Sequence, residues 1–284
     1  NSGIMLIKNI KIRGFRNLDD INLAFGGEGV YGVYGQNGAG KTNFLEALSM
    51  LSPGQGLHRD KLDNMRSAGN QQWSVFADIE NRDGAHKVGM LYSKKKRHLR
   101  INGENVTQQA KLAQLGAVLW FTPEMDRLFA GNPAARRRFF DRLVFGLNPG
   151  HAGNLSRYTR HIQNRSKLLK SNTPDPNWLD IEEQKAAHHA VKVVQARLRY
   201  LADLSHYMPD VVLTLKGGAE SQTEDEKNLE QVYGQKFKEN RDRDARFGGN
   251  SFGPHRSDIG GFLTNTTPLE RASMGQHKRA MLLI

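Results

Sequence analysis

The chain has 284 residues, 38% hydrophobic and 25% charged, a balance that excludes a disordered chain and leaves room for one large domain or two ordinary ones. Lys and Arg total 41 against 29 Asp and Glu, and the resulting formal charge of +12 favours a polyanionic partner, because each neutralised phosphate releases a condensed counterion. The absence of cysteine excludes disulfides, thiolate zinc sites and a cysteine nucleophile; no apolar run approaches the roughly 18 residues of a membrane span.

Leu6, Ile10 and Ile12 alternate along one predicted strand, and Ile21, Leu23 and Phe25 along a second. Lys8, Lys11 and Arg13 interrupt the N-terminal segment, so it does not read as a secretory signal. Gly26-Gly27-Glu28-Gly29 is a turn, and Val30-Tyr31-Gly32-Val33-Tyr34 is a predicted short buried strand. A glycine loop follows, then a helix with Phe44, Leu45, Leu48 and Leu51 on one face. Trp73, Val75, Ala77 and Ile79 alternate, as do Val88, Met90 and Tyr92, with the turn signal Asp83-Gly84 between them. Asn102-Gly103 marks another turn after a basic strand. Ala117 to Phe121 reads as a further core strand, and Thr122-Pro123-Glu124 opens a helix with Thr as N-cap.

From Pro133 the pattern is helical. Phe139, Phe140, Leu143 and Val144 share one face, Leu155, Tyr158 and Ile162 another, and a long stripe runs from Ala187 through Leu201. Residues 170–177 form a proline-containing linker between these helices. A strand is expected at Val211 to Leu215. A charged helix follows, with Thr223 and Glu226 at capping-box spacing and Gly248-Gly249 at its end. The domain organisation expected is residues 1–132, a helical insertion at 133–208, and residues 209–284.

The strongest motif is Gly35-Gln36-Asn37-Gly38-Ala39-Gly40-Lys41-Thr42. It matches the P-loop pattern between a predicted strand and a helix. Glycines let backbone N–H groups approach phosphates without a Cβ clash, and the helix N-terminus adds partial positive charge. Lys41 is the expected ligand of the β- and γ-phosphates, and Thr42 of a Mg²⁺ ion carried with the nucleotide. A P-loop alone does not choose among kinases, GTPases and ATPases. Ser273-Met274-Gly275-Gln276 has capping-box spacing at the start of the last helix, which by itself is an ordinary capped helix. Gly253-Pro254-His255-Arg256-Ser257-Asp258 concentrates Pro, His, Arg and Asp before a short strand, where it offers a cation and an imidazole to a phosphate or a partner.

Taken together, these segments resemble a family. Gly35 to Asn43 is similar to the P-loop of ABC-type ATPases, the group that includes the SMC proteins, and Ser273 to Gln276 to their signature motif. Phe15-Arg16-Asn17, the 253–258 segment and the run from Phe121-Thr122-Pro123-Glu124 to Arg136-Arg137-Arg138-Phe139-Phe140-Asp141 resemble RecF within that group. The resemblance implies an α/β fold: an ABC-type ATPase head, with a P-loop core and an antiparallel β subdomain, carrying an inserted helical arm. It implies ATP and Mg²⁺ as cofactors and an ATP-dependent homodimer, with nucleotide held by Gly35, Gln36, Asn37, Gly38, Ala39, Gly40, Lys41, Thr42 and Asn43. Ser273, Gly275 and Gln276 would reach it from the twin subunit, and Arg16 and Asn17 would lie near the base or ribose. Lys41 and Ser273 are the expected catalytic residues of a weak, DNA-stimulated ATPase.

The resemblance further implies a cytoplasmic protein of DNA replication, damage repair and the SOS response. It implies DNA partners, single- or double-stranded and at gap junctions, and RecO- and RecR-type proteins, with no membrane. The Walker B strand that ABC-type sites need after the signature helix is not in this sequence, and a Q-loop residue is sought around Thr122 to Glu124. For DNA, Lys94, Lys95, Lys96 and Arg97 form one basic run and Arg136 heads another, and each reads equally as a solvated charged face. Three alternatives stay open: a small-molecule P-loop kinase, a nucleotide-binding module without catalysis, and a different SMC-like protein. The absence of a sustained heptad run argues against a long coiled-coil arm.

Overall fold

The computed structural model describes residues 5–171, 173–221, 225–263 and 267–283. Two compact units divide at Trp120 and Phe121.

The first unit is built on a six-stranded antiparallel sheet in the order β2-β1-β3-β4-β5-β6. Its strands are β1 (Leu6–Phe15), β2 (Leu18–Ala24), β3 (Trp73–Asn81), β4 (Gly84–Ser93), β5 (Lys96–Ile101) and β6 (Glu104–Val106). Alternation places Val75, Ala77 and Ile79 of β3 and Val88 and Met90 of β4 on the buried face. Helix α1 (Lys41–Ser49) closes that face with Phe44 and Ala47. Burying each large side chain contributes about 1.5–3 kcal/mol. A bulge between Ile7 and Asn9 shifts the parity of β1. Ile7, Ile10 and Ile12 therefore meet Ile79, Ala77 and Val75, and Leu6, expected on the core face, does not. Along α1, Leu45 is half exposed rather than buried, and Glu46 takes an interior position instead. In the β3–β4 hairpin Asn81 pairs with Gly84, so the turn residues are Arg82 and Asp83, one position earlier than expected. A short helix α2 (Leu112–Leu115) adds Leu112 and Leu115 to the core.

Two predicted strands do not form. At residues 30–34 the backbone is irregular, with Val30 103% and Tyr34 94% exposed. Residues 117–121 are irregular too, with Leu119 and Phe121 half exposed. A continuous apolar run becomes a buried strand only when neighbours flank it, and among the described residues no strand pairs with either segment. Thr122-Pro123 opens a single 3-10 turn (Pro123–Arg127), and the Thr122 side chain makes no cap bond.

The second unit is mostly helical: α3 (Pro133–Leu147), α4 (Gly150–Leu169), α5 (Pro176–Tyr207), α6 (Glu226–Glu239), α7 (Arg241–Phe247) and α8 (Met274–Leu283), with a hairpin of β7 (Val211–Lys216) and β8 (Asp258–Leu263). Asn132 caps α3 through its Ala134 N–H, and Asp175 caps α5 through Asn177 and Trp178, each with Pro at the first helical position. The predicted stripes meet in one core, where Phe140, Val144, Tyr158, Ala190, Val194 and Tyr233 are buried. Thr223, expected as a cap, lies outside the described residues; Asp225 caps α6 by accepting from Asn228 N. The single charged helix expected before Gly248 is two, interrupted at Asn240.

Candidate functional site

The glycine loop joins the exposed 30–34 segment to α1. Gly35, Gly38 and Gly40 have φ of +155°, +84° and +93°, conformations that an L side chain strains. A Cβ at Gly40 would also lie 2.7 Å from both Asn17 Oδ1 and Leu18 Cδ2. The first helical bond is donated by Phe44 N to Gly40 O, which leaves the N–H groups of Lys41, Thr42 and Asn43 at the helix mouth. Lys41 Nζ donates to the carbonyls of Gly35 and Gln36, both at 2.8 Å, so its ammonium sits across the loop. Ala39 N donates to Gln36 O at 3.2 Å, closing the turn around Asn37. This donor set fits a triphosphate: free helix-start amides, a cation, and glycines where side chains would intrude.

Asn17 clips the loop from the β1–β2 turn. Its Nδ2 donates to Gly38 O at 2.7 Å, and its Oδ1 accepts from Asn43 Nδ2 at 2.8 Å. Arg16, at φ +55°, turns the other way. Its Nε and Nη2 grip Glu46 at 2.9 Å each, and Nη1 donates to Asp60 at 3.0 Å and Asn64 O at 3.1 Å. Hydrogen bonding to Glu46 is the largest cause holding the Arg16 pKa above its ordinary value. Glu46 and Asp60 escaped sequence reasoning: a glutamate within a helix reads as solvated unless its distant partner is known.

Two further motifs lie in the second unit. At the start of α8, Ser273 N donates to Gln276 Oε1 at 2.8 Å and Gln276 N donates to Ser273 Oγ at 3.3 Å, the reciprocal capping box expected. Ser273, Met274 and Gly275 are exposed. The 253–258 loop, by contrast, is clamped by its own unit. Asp258 accepts from Arg136 Nε at 2.9 Å and Nη2 at 2.6 Å, Ser257 O from Arg137 at 2.7 Å, and Pro254 O from Arg197 at 2.7 Å. Arg197 itself forks onto Asp141 at 2.9 Å. His255 Nδ1 lies 2.5 Å from Tyr158 Oη, and Nε2 lies 3.0 Å from Asn250 O. The pairing assigns Nε2–H as donor to Asn250, with Nδ1 accepting from the Tyr158 hydroxyl. Burial pushes the His255 pKa down and the Tyr158 pKa up, which favours the neutral pair.

Arg136 is thereby corrected as a DNA contact. It is 4% exposed, and Nη1 also donates to the carbonyls of Leu128, Phe129 and Gly131. Its charge is spent tying the start of α3 to β8. Lys94, Lys95 and Lys96 are exposed at and after the β4–β5 turn, whereas Arg97 is half-buried and donates to Gly54 O at 3.3 Å. The segment around Thr122 to Glu124 forms the 3-10 turn and presents no glutamine.

Comparison with known proteins gives a consistent result. A family model described as an AAA domain matches residues 9–243. The DNA replication and repair protein RecF of Agrobacterium fabrum is 34% identical over 295 residues, covering 97% of this chain and 78% of that protein. RecF of Rhizobium etli is 34% identical over 292 residues, with the same coverage. Among solved structures, the recombination mediator protein RecF of the RecFOR pathway with ATPrS has a TM-score of 0.85 at 22% identity, over 98% of this chain and 79% of that one. RecF with ATP has a TM-score of 0.87 at 23% identity, with the same coverage. The fold is the expected one, an ABC-type ATPase head with a helical arm.

Proposed function

The chain belongs to the RecF family of DNA replication and repair proteins, and from that premise we propose that it is an ATP-gated DNA-binding protein of recombinational repair. The observation that carries the reading is the glycine loop, in which Lys41 spans the cradle and Asn17 fixes its shape. Residues 35–43 bind the triphosphate of ATP through backbone N–H groups and Lys41, and the Thr42 hydroxyl meets Mg²⁺. Bound ATP supplies the γ-phosphate on which two subunits converge. Exposed Ser273 and Gly275, at a helix N-terminus, suit a phosphate presented by a twin copy. The homodimer so formed closes on DNA, and slow, DNA-stimulated hydrolysis reopens it. Residues 1–132 and 209–284 form the head in this reading and 133–208 the arm. RecO- and RecR-type proteins are its partners in loading recombinase at gaps, in the cytoplasm.

Arg16 enters this scheme as a positioning residue. Its bonds to Glu46 and Asp60 hold the β1–β2 turn against α1, so that Asn17 meets the loop. Size analysis with ATP, ADP and no nucleotide tests the gate. ATP is expected to shift the wild type to a dimer, ADP is not, and Lys41→Ala is expected to remain monomeric throughout. A wild type that stays monomeric in ATP refutes the sandwich.

A further inference from the structure

The sheet of the first unit buries one face, and its other face meets solvent with an uneven distribution of chemistry. Register fixes who stands beside whom. One row crosses Arg13 on β1, Ser74 on β3, Leu91 on β4 and His98 on β5. The next crosses Lys11, Phe76, Gly89 and Arg100. Alternation puts all of these on the side opposite Val75, Ala77 and Met90, which are buried. Phe76, Gly89 and Leu91 form an apolar centre on this face, with Ser74 and Asp78 on either side of Phe76 along β3. It is bordered by a cationic file on β1 (Lys11, Arg13) and another on β5 (Lys96, His98, Arg100). Lys94 and Lys95 extend the second file at the turn.

Residues along each file repeat every second position, about 7 Å apart, and three strand steps of about 4.8 Å separate the files. Arg13 is partly neutralised by Asp20 at 3.3 Å, and Arg100 Nε donates to Asn105 at 3.1 Å. Lys11, Lys87, Lys96 and His98 have no side-chain partner among the described residues. Gly89 matters to the centre. A Cβ there would rest on the Phe76 ring at 3.6 Å, so its absence leaves that side of the ring open, and Phe76 is only partly buried.

We propose that this sheet face binds single-stranded nucleic acid, with phosphates on the Lys11/Arg13 and Lys96/Arg100 files and a base stacked on Phe76. The proposal rests on the DNA-binding reading above and adds the surface, the strandedness and the stacking residue. A flat sheet with an aromatic centre between cations serves unpaired bases, because each base has a face to stack and a backbone to neutralise. Duplex DNA keeps its bases stacked on one another and cannot offer one to Phe76.

The test is fluorescence anisotropy of the whole chain with a labelled oligothymidylate and with a duplex of equal length, across a salt series and without nucleotide. Lys96→Gln with Arg100→Gln is expected to weaken oligothymidylate binding about tenfold and to flatten the salt dependence by about 1.4 in log–log slope, two phosphates at roughly 0.7 each. Gly89→Val suits a strand and fills the space beside Phe76. It is expected to weaken the single strand several-fold with the salt slope unchanged; Phe76→Leu should do the same, and circular dichroism checks that both remain folded. If wild type binds but neither Gly89→Val nor Phe76→Leu alters affinity, the stacking proposal is overturned while the DNA-binding reading survives. Equal losses on duplex and single strand overturn it as well. A wild type that binds neither probe overturns both.

Discussion

At the residue scale, Arg16 and Asn17 are adjacent in sequence yet act in opposite directions, Arg16 onto Glu46 and Asp60 and Asn17 onto the glycine loop. Glu46 is 0% exposed and depends on Arg16 for its charge balance. Arg16→Ala leaves an uncompensated interior carboxylate and is expected to cost about 3–5 kcal/mol. Asp60→Ala removes a part-buried pair and the bonds that Asp60 accepts from Lys61 N and Asn64 Nδ2, but leaves no buried carboxylate, and should cost about 1–2 kcal/mol. Urea denaturation of the two variants compares them directly, and similar losses would refute the assignment of Glu46 as the dominant partner. Asn17→Ala removes one hydrogen bond to the loop and one from Asn43 of α1, at about 0.5–1.5 kcal/mol each. Its expected signature is ATP affinity weakened several-fold together with a stability loss of about 1–3 kcal/mol, read by nucleotide titration and urea denaturation. The glycine motif and the Arg16-Asn17 pair were legible as residues. What Arg16 grips was not, because Glu46 and Asp60 lie far along the chain and only folding brings them under the turn.

At the element scale, the β4–β5 turn is an unusual choice. Lys94 and Lys95 both take positive φ, +50° and +61°, in a two-residue connection that ordinarily uses Asn-Gly. The β5–β6 turn does use Asn102-Gly103, with φ of +52° and +85°. Lys94→Asn with Lys95→Gly is therefore expected to stabilise the first unit by about 1 kcal/mol. It should at the same time weaken DNA binding by the loss of two charges. Higher stability with undiminished DNA affinity would show that these lysines do not serve binding.

Histidines in the helical unit define a second element-scale expectation. His189 on α5 is pushed down to about 4, first by burial and then by His188, Arg157, His161 and Lys192. Burial also lowers His255 and His277. Each binds its proton more readily unfolded than folded, so its contribution is complete above about pH 6.5. That contribution is lost as pH falls toward the folded values, about 4 for His189. The urea midpoint of the second unit should fall between pH 6.5 and 4, and His189→Gln should flatten part of that slope.

At the scale of the whole molecule, two separate hydrophobic cores correspond to the two units. The exposed apolar segments at 31–34 and 119–121 have irregular backbone, the combination that proteases select. Native-state chymotrypsin is expected to cut there before it cuts within the sheet or α5. Protection of both segments, with early cleavage inside α5, would contradict that order.

The sequence alone determined the hairpins, the helical stripes, the glycine loop before α1 and the capping box at Ser273, because each is encoded within a few residues by periodicity, glycine placement or side-chain reach. It also carried the family. Tertiary structure decided which charges are structural. Arg136, one of three consecutive arginines, is withdrawn into Asp258 and the carbonyls of Leu128, Phe129 and Gly131, while Lys96 and Arg100 stay in solvent. It likewise kept residues 30–34 and 117–121 out of any strand, since a strand needs neighbours that no local pattern supplies. Burial and pairing depend on residues scores of positions away, and that information exists only once the chain has folded.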